Sequence, residues 1–268
     1  MKKRVISAVI AIAILIPLFI FGGIPFATAV ALLAAQAYKE TLNLKESHKP
    51  YPPFIAIMGL LFTVLIVILH PHASYLYNGV ETTCLALVFL LLTIPTIFDK
   101  KEKYTTKEAF FLSGTVIFIG IVFHLFILLF NASKWLFLYL ILIATITDTF
   151  AFLVGTLIGK HKLIPEVSPK KSIEGSIGGS IAGTAVATIF YYNLVSSDIN
   201  IVLLIFVTLV LSILGQLGDL FFSKIKRENG IKDFSNIMPG HGGVLDRVDS
   251  MVFISLGYVL IISIINLF

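Results

Sequence analysis

Nine apolar segments alternate with short polar ones along this chain: 5–21, 24–38, 53–70, 80–97, 109–130, 135–158, 176–194, 199–222 and 251–268. Most approach the ~20 residues that cross a bilayer as a helix. Their runs are continuous and lack the alternation of a transmembrane β-strand. Segment 24–38 is short and leaves a re-entrant helix open. Segment 5–21 follows Met1-Lys-Lys-Arg4 and is followed by Ala27-Thr-Ala29, which resembles a signal-peptide cleavage site. It is longer than a usual signal core, and more apolar helix comes after it, so it is expected to stay as a membrane helix.

Loop charge orders these segments. With all nine crossing, one side receives 1–4, 39–49, 99–108, 159–175 and 223–249, which hold 19 of the chain's 20 Lys and Arg residues. The other side receives only Lys134. The positive-inside rule makes the basic side cytoplasmic. The expectation is an all-α, polytopic integral membrane bundle of about nine transmembrane helices with a cytoplasmic N-terminus, in the cell membrane. Residues 1–134 form its N-terminal helices. Residues 135–268 form a C-terminal region whose polar loops lie on the cytoplasmic side.

Composition sharpens this picture. The chain is 57% hydrophobic and 13% charged, against a usual charged share of about 25%. Its mean hydropathy of +0.98 excludes a soluble domain, and the pI near 9.2 follows from topology rather than from nucleic-acid binding. The single cysteine, Cys84, excludes an internal disulfide or a zinc finger.

One helix carries a packing signal. Gly175, Gly179, Gly183 and Ala187 recur every fourth residue, flanked by Ser176, Ser180, Thr184 and Thr188. Such a face admits a close neighbour. An intrachain helix is the expected neighbour, with a homodimer partner as the alternative.

The most unusual stretch is polar and sits between two apolar ones. Residues 223–249 hold five basic residues, four acidic ones and four glycines. Asp219 lies just ahead of it, on one helical face with Ser212, Gly215, Gln216, Ser223 and Lys226. Asp246 and Asp249 are three apart and can point the same way. Three carboxylates can thus converge at one depth, where Mg²⁺ binds through one or two of them plus substrate phosphates. The alternative is that these acids pair with Lys226, Arg227 or Arg247 and only join helices. Lys226, Arg227 and Arg247 are also candidates to hold phosphates. Gly242 and Gly243, before a helix, can present N–H groups to an anion or form a plain turn. His241 has no partner at metal-ligand spacing.

A second polar segment, 159–175, is expected on the same face, where Lys170, Lys171, Ser172 and Glu174 can complete a phosphate site. Asp148 lies about ten residues into its helix, roughly 15 Å deep. An acid there must be partnered, protonated or watered.

The order Ser223-x-x-Lys226-Arg227, Lys232-Asp233, Pro239-x-His241-Gly242-Gly243, Asp246-Arg247-x-Asp249 resembles the C-terminal signature of the phosphatidate cytidylyltransferase (CDP-diacylglycerol synthase) family. Asp148, Gly155, Gly159-Lys160-His161-Lys162 and Ser168-Pro169-Lys170-Lys171-Ser172-x-Glu174-Gly175 resemble a second motif of that family. The resemblance implies an enzyme that joins CTP to phosphatidic acid, giving CDP-diacylglycerol and pyrophosphate with Mg²⁺, through two metal ions. It implies that Asp219 and Asp246 hold metal with Asp249 in support. It assigns phosphates to Ser223, Lys226, Arg227 and Arg247, and the triphosphate to Lys170 and Lys171. No nucleic-acid partner is implied. The rivals are a cytidylyltransferase for another lipid phosphate and an ion or proton transporter relaying through Asp148 and Asp219.

Overall fold

The computed structural model describes residues 13–44, 51–68, 80–99, 104–237, 240 and 242–265. Segment 5–12, the basic N-terminus, Pro239 and His241 lie outside the described residues. The expected all-α membrane architecture is present. The described elements are helices, apart from one two-stranded hairpin.

Two compact units divide the chain. The first comprises residues up to Ile127 together with Phe234–Val244. It holds α1 (13–21), α2 (Gly23–Leu42), α3 (Pro53–Ile68), α4 (Val80–Thr93), α5 (Pro95–Phe98) and most of α6 (Thr106–Ala132). Gly22 and Gly23 have φ of 61° and 53° and break α1 from α2, a left-handed turn that glycine makes without a Cβ penalty. The expected helix 80–97 is interrupted. Pro95 has no N–H to continue the ladder, so α4 stops at Thr93 and α5 starts anew. α6 begins with a capping box: the Thr105 amide donates to Glu108 Oε2 at 2.6 Å, and the Glu108 amide to Thr105 Oγ1 at 3.5 Å. Tyr38 packs over Gly59 and donates to the Ala56 carbonyl at 2.9 Å.

The second unit comprises Leu128–Asp233 and Leu245–Phe268. It contains α7 (Lys134–Ile158), β1 (Lys162–Ile164), β2 (Ser168–Ser172), α8 (Ile173–Leu194), α9 (Ile201–Glu228) and α10 (Leu245–Ile265). Ser133, Ser172 and Asn200 cap α7, α8 and α9 through their side-chain oxygens. The small-residue face of α8 lies against α7 of the same chain. A Cβ added at Gly175 would stand 2.5 Å from the Ala151 carbonyl, and one at Gly179 2.6 Å from the Thr147 carbonyl. That face is filled from within the chain, so it is not the surface a second copy would use.

Polar side chains inside this unit find one another. Thr147 and Ser212 share a 2.8 Å hydrogen bond, and Gln216 Nε2 donates to Ser180 Oγ at 2.7 Å. Tyr139 and Thr208 hydroxyls meet at 2.8 Å. These bonds tie α7, α8 and α9 together where no water competes.

Among the described residues, five helices are long and apolar enough to cross a membrane: α6, α7, α8, α9 and α10. The apolar stretches 53–68 and 84–98 are shorter.

Candidate functional site

Four helices and both strands of the second unit converge on a cavity of about 840 Å³. Asp148 comes from α7, Lys170 and Lys171 from β2, Asp219 and Lys226 from α9, and Asp246, Arg247 and Asp249 from α10. Ser172, the α8 cap, also lines it. Nine residues singled out from the sequence therefore face one space.

Local structure explains the convergence. β1 and β2 form an antiparallel hairpin, with Lys162 opposite Ser172 and Ile164 opposite Ser168. It folds Lys170 and Lys171 back over the ends of α7 and α8. The hairpin is fastened twice. Arg227 Nε donates to the Val167 carbonyl at 3.3 Å. Glu174 accepts the Lys160 amide at 3.1 Å and meets His161 Nδ1 at 2.6 Å. Close α7–α8 contact at Gly155 and Gly175 leaves Ser172 Oγ beside Gly155, where a Cβ would stand 2.9 Å away.

Charge inside the cavity is organised in pairs. Lys171 Nζ lies 2.5 Å from Asp219 Oδ2. Lys226 Nζ lies 2.7 Å from Asp246 Oδ1, and both side chains are more than nine-tenths buried. Ser223 Oγ donates to Asp219 Oδ1 at 3.3 Å. Ser250 Oγ donates to Asp148 Oδ2 at 3.2 Å, which gives that deep acid a partner. Asp148, Asp219 and Asp249 are near enough to repel one another. Among the described residues, the lining carries five carboxylates (Asp148, Asp219, Asp233, Asp246, Asp249) and five cations (Lys162, Lys170, Lys171, Lys226, Arg247). Among the described residues, no three His, Cys, Asp or Glu side chains stand grouped closely enough to hold a metal by themselves.

The cavity is not closed on its α7 side. Thr145, Thr149, Phe152 and Thr156 line it and are exposed.

The profile of the cytidylyltransferase family matches residues 2–265. This chain belongs to that family. The chain is 38% identical over 257 residues to a phosphatidate cytidylyltransferase of Staphylococcus haemolyticus, covering 95% of this chain and 96% of the relative. It is 37% identical over 257 residues to one from Staphylococcus aureus (strain COL), with the same coverage. It is 34% identical over 258 residues to one from Bacillus subtilis (strain 168), covering 95% of this chain and 94% of the relative.

A cytidylyltransferase handles a nucleoside triphosphate, and the remaining candidates are not part of the cavity lining. Ser223 reaches Asp219 from the next turn of α9. Arg227 and Glu174 secure the hairpin. Gly242 and Gly243 belong to the first unit, and a Cβ on Gly243 would stand 2.6 Å from the Glu40 carboxylate. Lys162 and Asp233, quoted above within the two motifs but given no role there, also line the cavity, and Ser250 lines it without having been singled out. Ser250 was legible as the residue one helical turn after Asp246.

Proposed function

We propose that this chain transfers the cytidylyl group of CTP to phosphatidate, giving CDP-diacylglycerol and pyrophosphate. The observation that carries this reading is the cavity with paired carboxylates and cations at the ends of α7, α9 and α10, in a chain aligned over 95% of its length with relatives bearing that activity in their names.

A phosphatidate phosphate oxygen attacks the α-phosphorus of CTP. A new P–O bond forms to the lipid phosphate, the bond from the α-phosphorus to its bridging oxygen breaks, and pyrophosphate leaves with that oxygen. The attacking phosphate is already largely ionised at neutral pH, so no side chain has to remove a proton. The protein's contribution is orientation and charge stabilisation. Lys170 and Lys171, held by the hairpin, face the triphosphate and the departing pyrophosphate. Arg247 and Lys226 face the lipid phosphate and α-phosphate, Arg247 through its planar fork. Arg227 and Ser223 hold the hairpin and Asp219 in place. Ser172 and the N-terminus of α8 add N–H dipoles on the phosphate side. Asp148 and Glu174 keep the floor and the hairpin fixed.

The donor chemistry fits Mg²⁺. Hard carboxylate oxygens line a cavity otherwise rich in cations, and Mg²⁺ commonly takes one or two carboxylates and completes its shell with substrate phosphates. A preformed three-carboxylate cage is not required. Asp219 and Asp246, with Asp249 in support, would hold one or two ions. The chemistry supplied there is neutralisation of charge on the phosphate oxygens.

The finer topology belongs to the same proposal: nine crossings, the N-terminus and the cavity on the cytoplasmic side of the cell membrane, and residues 135–268 as the catalytic region. The loop joining α7 to α8 and the C-terminal end of α9 share one end of the second unit, since Arg227 bonds Val167. Both that loop and that helix end are rich in Lys and Arg. Exposed Thr149 and Phe152 on the cavity's open side support sideways entry of the acyl chains.

The test is a membrane-fraction assay. Each nucleoside triphosphate is offered with phosphatidate, with and without Mg²⁺, and lipid-linked nucleotide is measured. CTP alone should yield product, and only with Mg²⁺. Equal product from ATP, or none from any nucleotide, would overturn the reading.

A further inference from the structure

A β-strand turns successive side chains to opposite faces. The hairpin departs from that rule where it meets the cavity. Lys170 and Lys171 are consecutive, yet both line the space. The register accounts for it. Lys162 pairs with Ser172 and Ile164 with Ser168. Between those pairs β1 has only Leu163, while β2 has Pro169, Lys170 and Lys171. The surplus residues bulge, and a bulge re-aims the side chains it carries. Lys162, across the ribbon from Ser172, lines the same space from β1. The residue before it is fastened to the start of α8. The Ile173 amide donates to the His161 carbonyl at 2.9 Å, and the His161 amide donates to Glu174 Oε1 at 3.2 Å. The base from which the Lys162 side chain reaches into the cavity is therefore fixed.

The lining lysines differ in what they already hold. Lys171 is shared with Asp219 and Lys226 with Asp246. Among the described residues, neither Lys162 nor Lys170 has a carboxylate within ion-pair distance, and both are exposed. The charge in the cavity is therefore sorted by element. Asp148, Asp219, Asp246 and Asp249 come from helices, whereas the hairpin contributes Lys162, Ser168, Lys170, Lys171 and Ser172 to the lining and no acid. A lysine head is a compact point charge with three donors on a flexible stem, suited to phosphate oxygens. Two such heads with no acid to neutralise them favour the most highly charged part of a ligand. In a nucleoside triphosphate that part is the terminal pair of phosphates, and it is the part that departs.

We propose that Lys162 is a specificity-determining residue: with Lys170 it forms a subsite on the hairpin for the β- and γ-phosphates of the nucleotide, selecting a triphosphate over shorter nucleotides. This rests on the reaction proposed above and adds a residue to it. The same two cations face the charge that grows on pyrophosphate as it leaves. A nucleoside monophosphate has nothing to place there, so its binding does not depend on Lys162.

The test measures nucleotide binding to the full chain in detergent by calorimetry, with Mg²⁺ and without phosphatidate, so that no turnover intervenes. Lys162→Met should weaken CTP binding by about tenfold, the scale of one charge-assisted hydrogen bond, and leave CMP binding unchanged. In the assay with phosphatidate, the KM for CTP and the inhibition constant of inorganic pyrophosphate should rise by a similar factor. Lys162→Arg should retain most of the CTP affinity. Lys160→Met removes an exposed charge that is not in the lining and should bind CTP as the parent does. Parent-like CTP affinity in Lys162→Met would overturn the inference. So would an equal loss of CMP affinity, which a displaced hairpin would give, or an equal loss of CTP affinity in Lys160→Met, which a diffuse positive field would give. A parent chain that neither binds CTP nor forms product from it would overturn the proposed reaction, and the subsite with it.

Discussion

Lys226 and Asp246 illustrate how tightly the site is tied to the fold. Both are buried and 2.7 Å apart, so neither charge has water to fall back on. Removing one partner of such a pair costs about 3–5 kcal/mol, because the other charge is stranded. Lys226→Met should therefore lower the thermal unfolding midpoint in detergent as well as abolish turnover, and Lys226→Met with Asp246→Leu should recover part of the midpoint and none of the activity. Lys171 and Asp219 are each more than a fifth exposed. Solvent screens that pair, and Lys171→Met should leave the unfolding midpoint nearly unchanged while turnover falls. The acids and bases were visible in the sequence, as was the possibility that they pair. Which acid meets which base was not, because Lys171 and Asp219 are brought together by a hairpin with no sequence signature. Glu40 was invisible for a related reason: two of its partners, Ser235 and Val244, lie 195 and 204 positions away.

At the scale of elements, the α7–α8 contact depends on glycine. Gly179 faces the Thr147 carbonyl and the Ala151 Cβ with no space for a side chain. Gly179→Leu should displace α8 and cost at least the ~1–3 kcal/mol of an overpacked core. Ile181→Ala, on the outward face at 64% exposed, should be near neutral. Unfolding midpoints of the two variants check this. The repeat of small residues made that helix face legible in advance, since its period is helical. Helix starts were less legible. α10 begins at Leu245 and α8 at Ile173, earlier than the apolar runs suggest, because their first turns carry polar residues: Asp246 and Arg247 line the cavity and Glu174 holds the hairpin. β1 and β2 went unseen because three and five residues containing Pro169 read as loop. A proline is tolerated in a two-stranded ribbon, where every strand is an edge.

For the whole molecule, the division of charge between the two sides of the bilayer is the testable property. With Cys84 first replaced by Ala, a single cysteine introduced at Lys134 should react with a membrane-impermeant thiol reagent in intact cells. One at Lys232 should react only after permeabilisation. Labelling of both from outside would refute the nine-crossing arrangement with an inward N-terminus.

The pairing of acids with bases around the cavity has a consequence for how affinity is regulated. Two of the five lining cations, Lys171 and Lys226, are already engaged by carboxylates and are not free to attract a polyanion. Each nucleotide or lipid headgroup admitted must arrive with its own compensating ions or draw them from the medium. Occupancy then becomes a function of ionic activity as much as of ligand supply. Titrating nucleotide binding at stepped divalent concentrations should show affinity climbing with the cation, and chelation should empty the pocket without unfolding the chain.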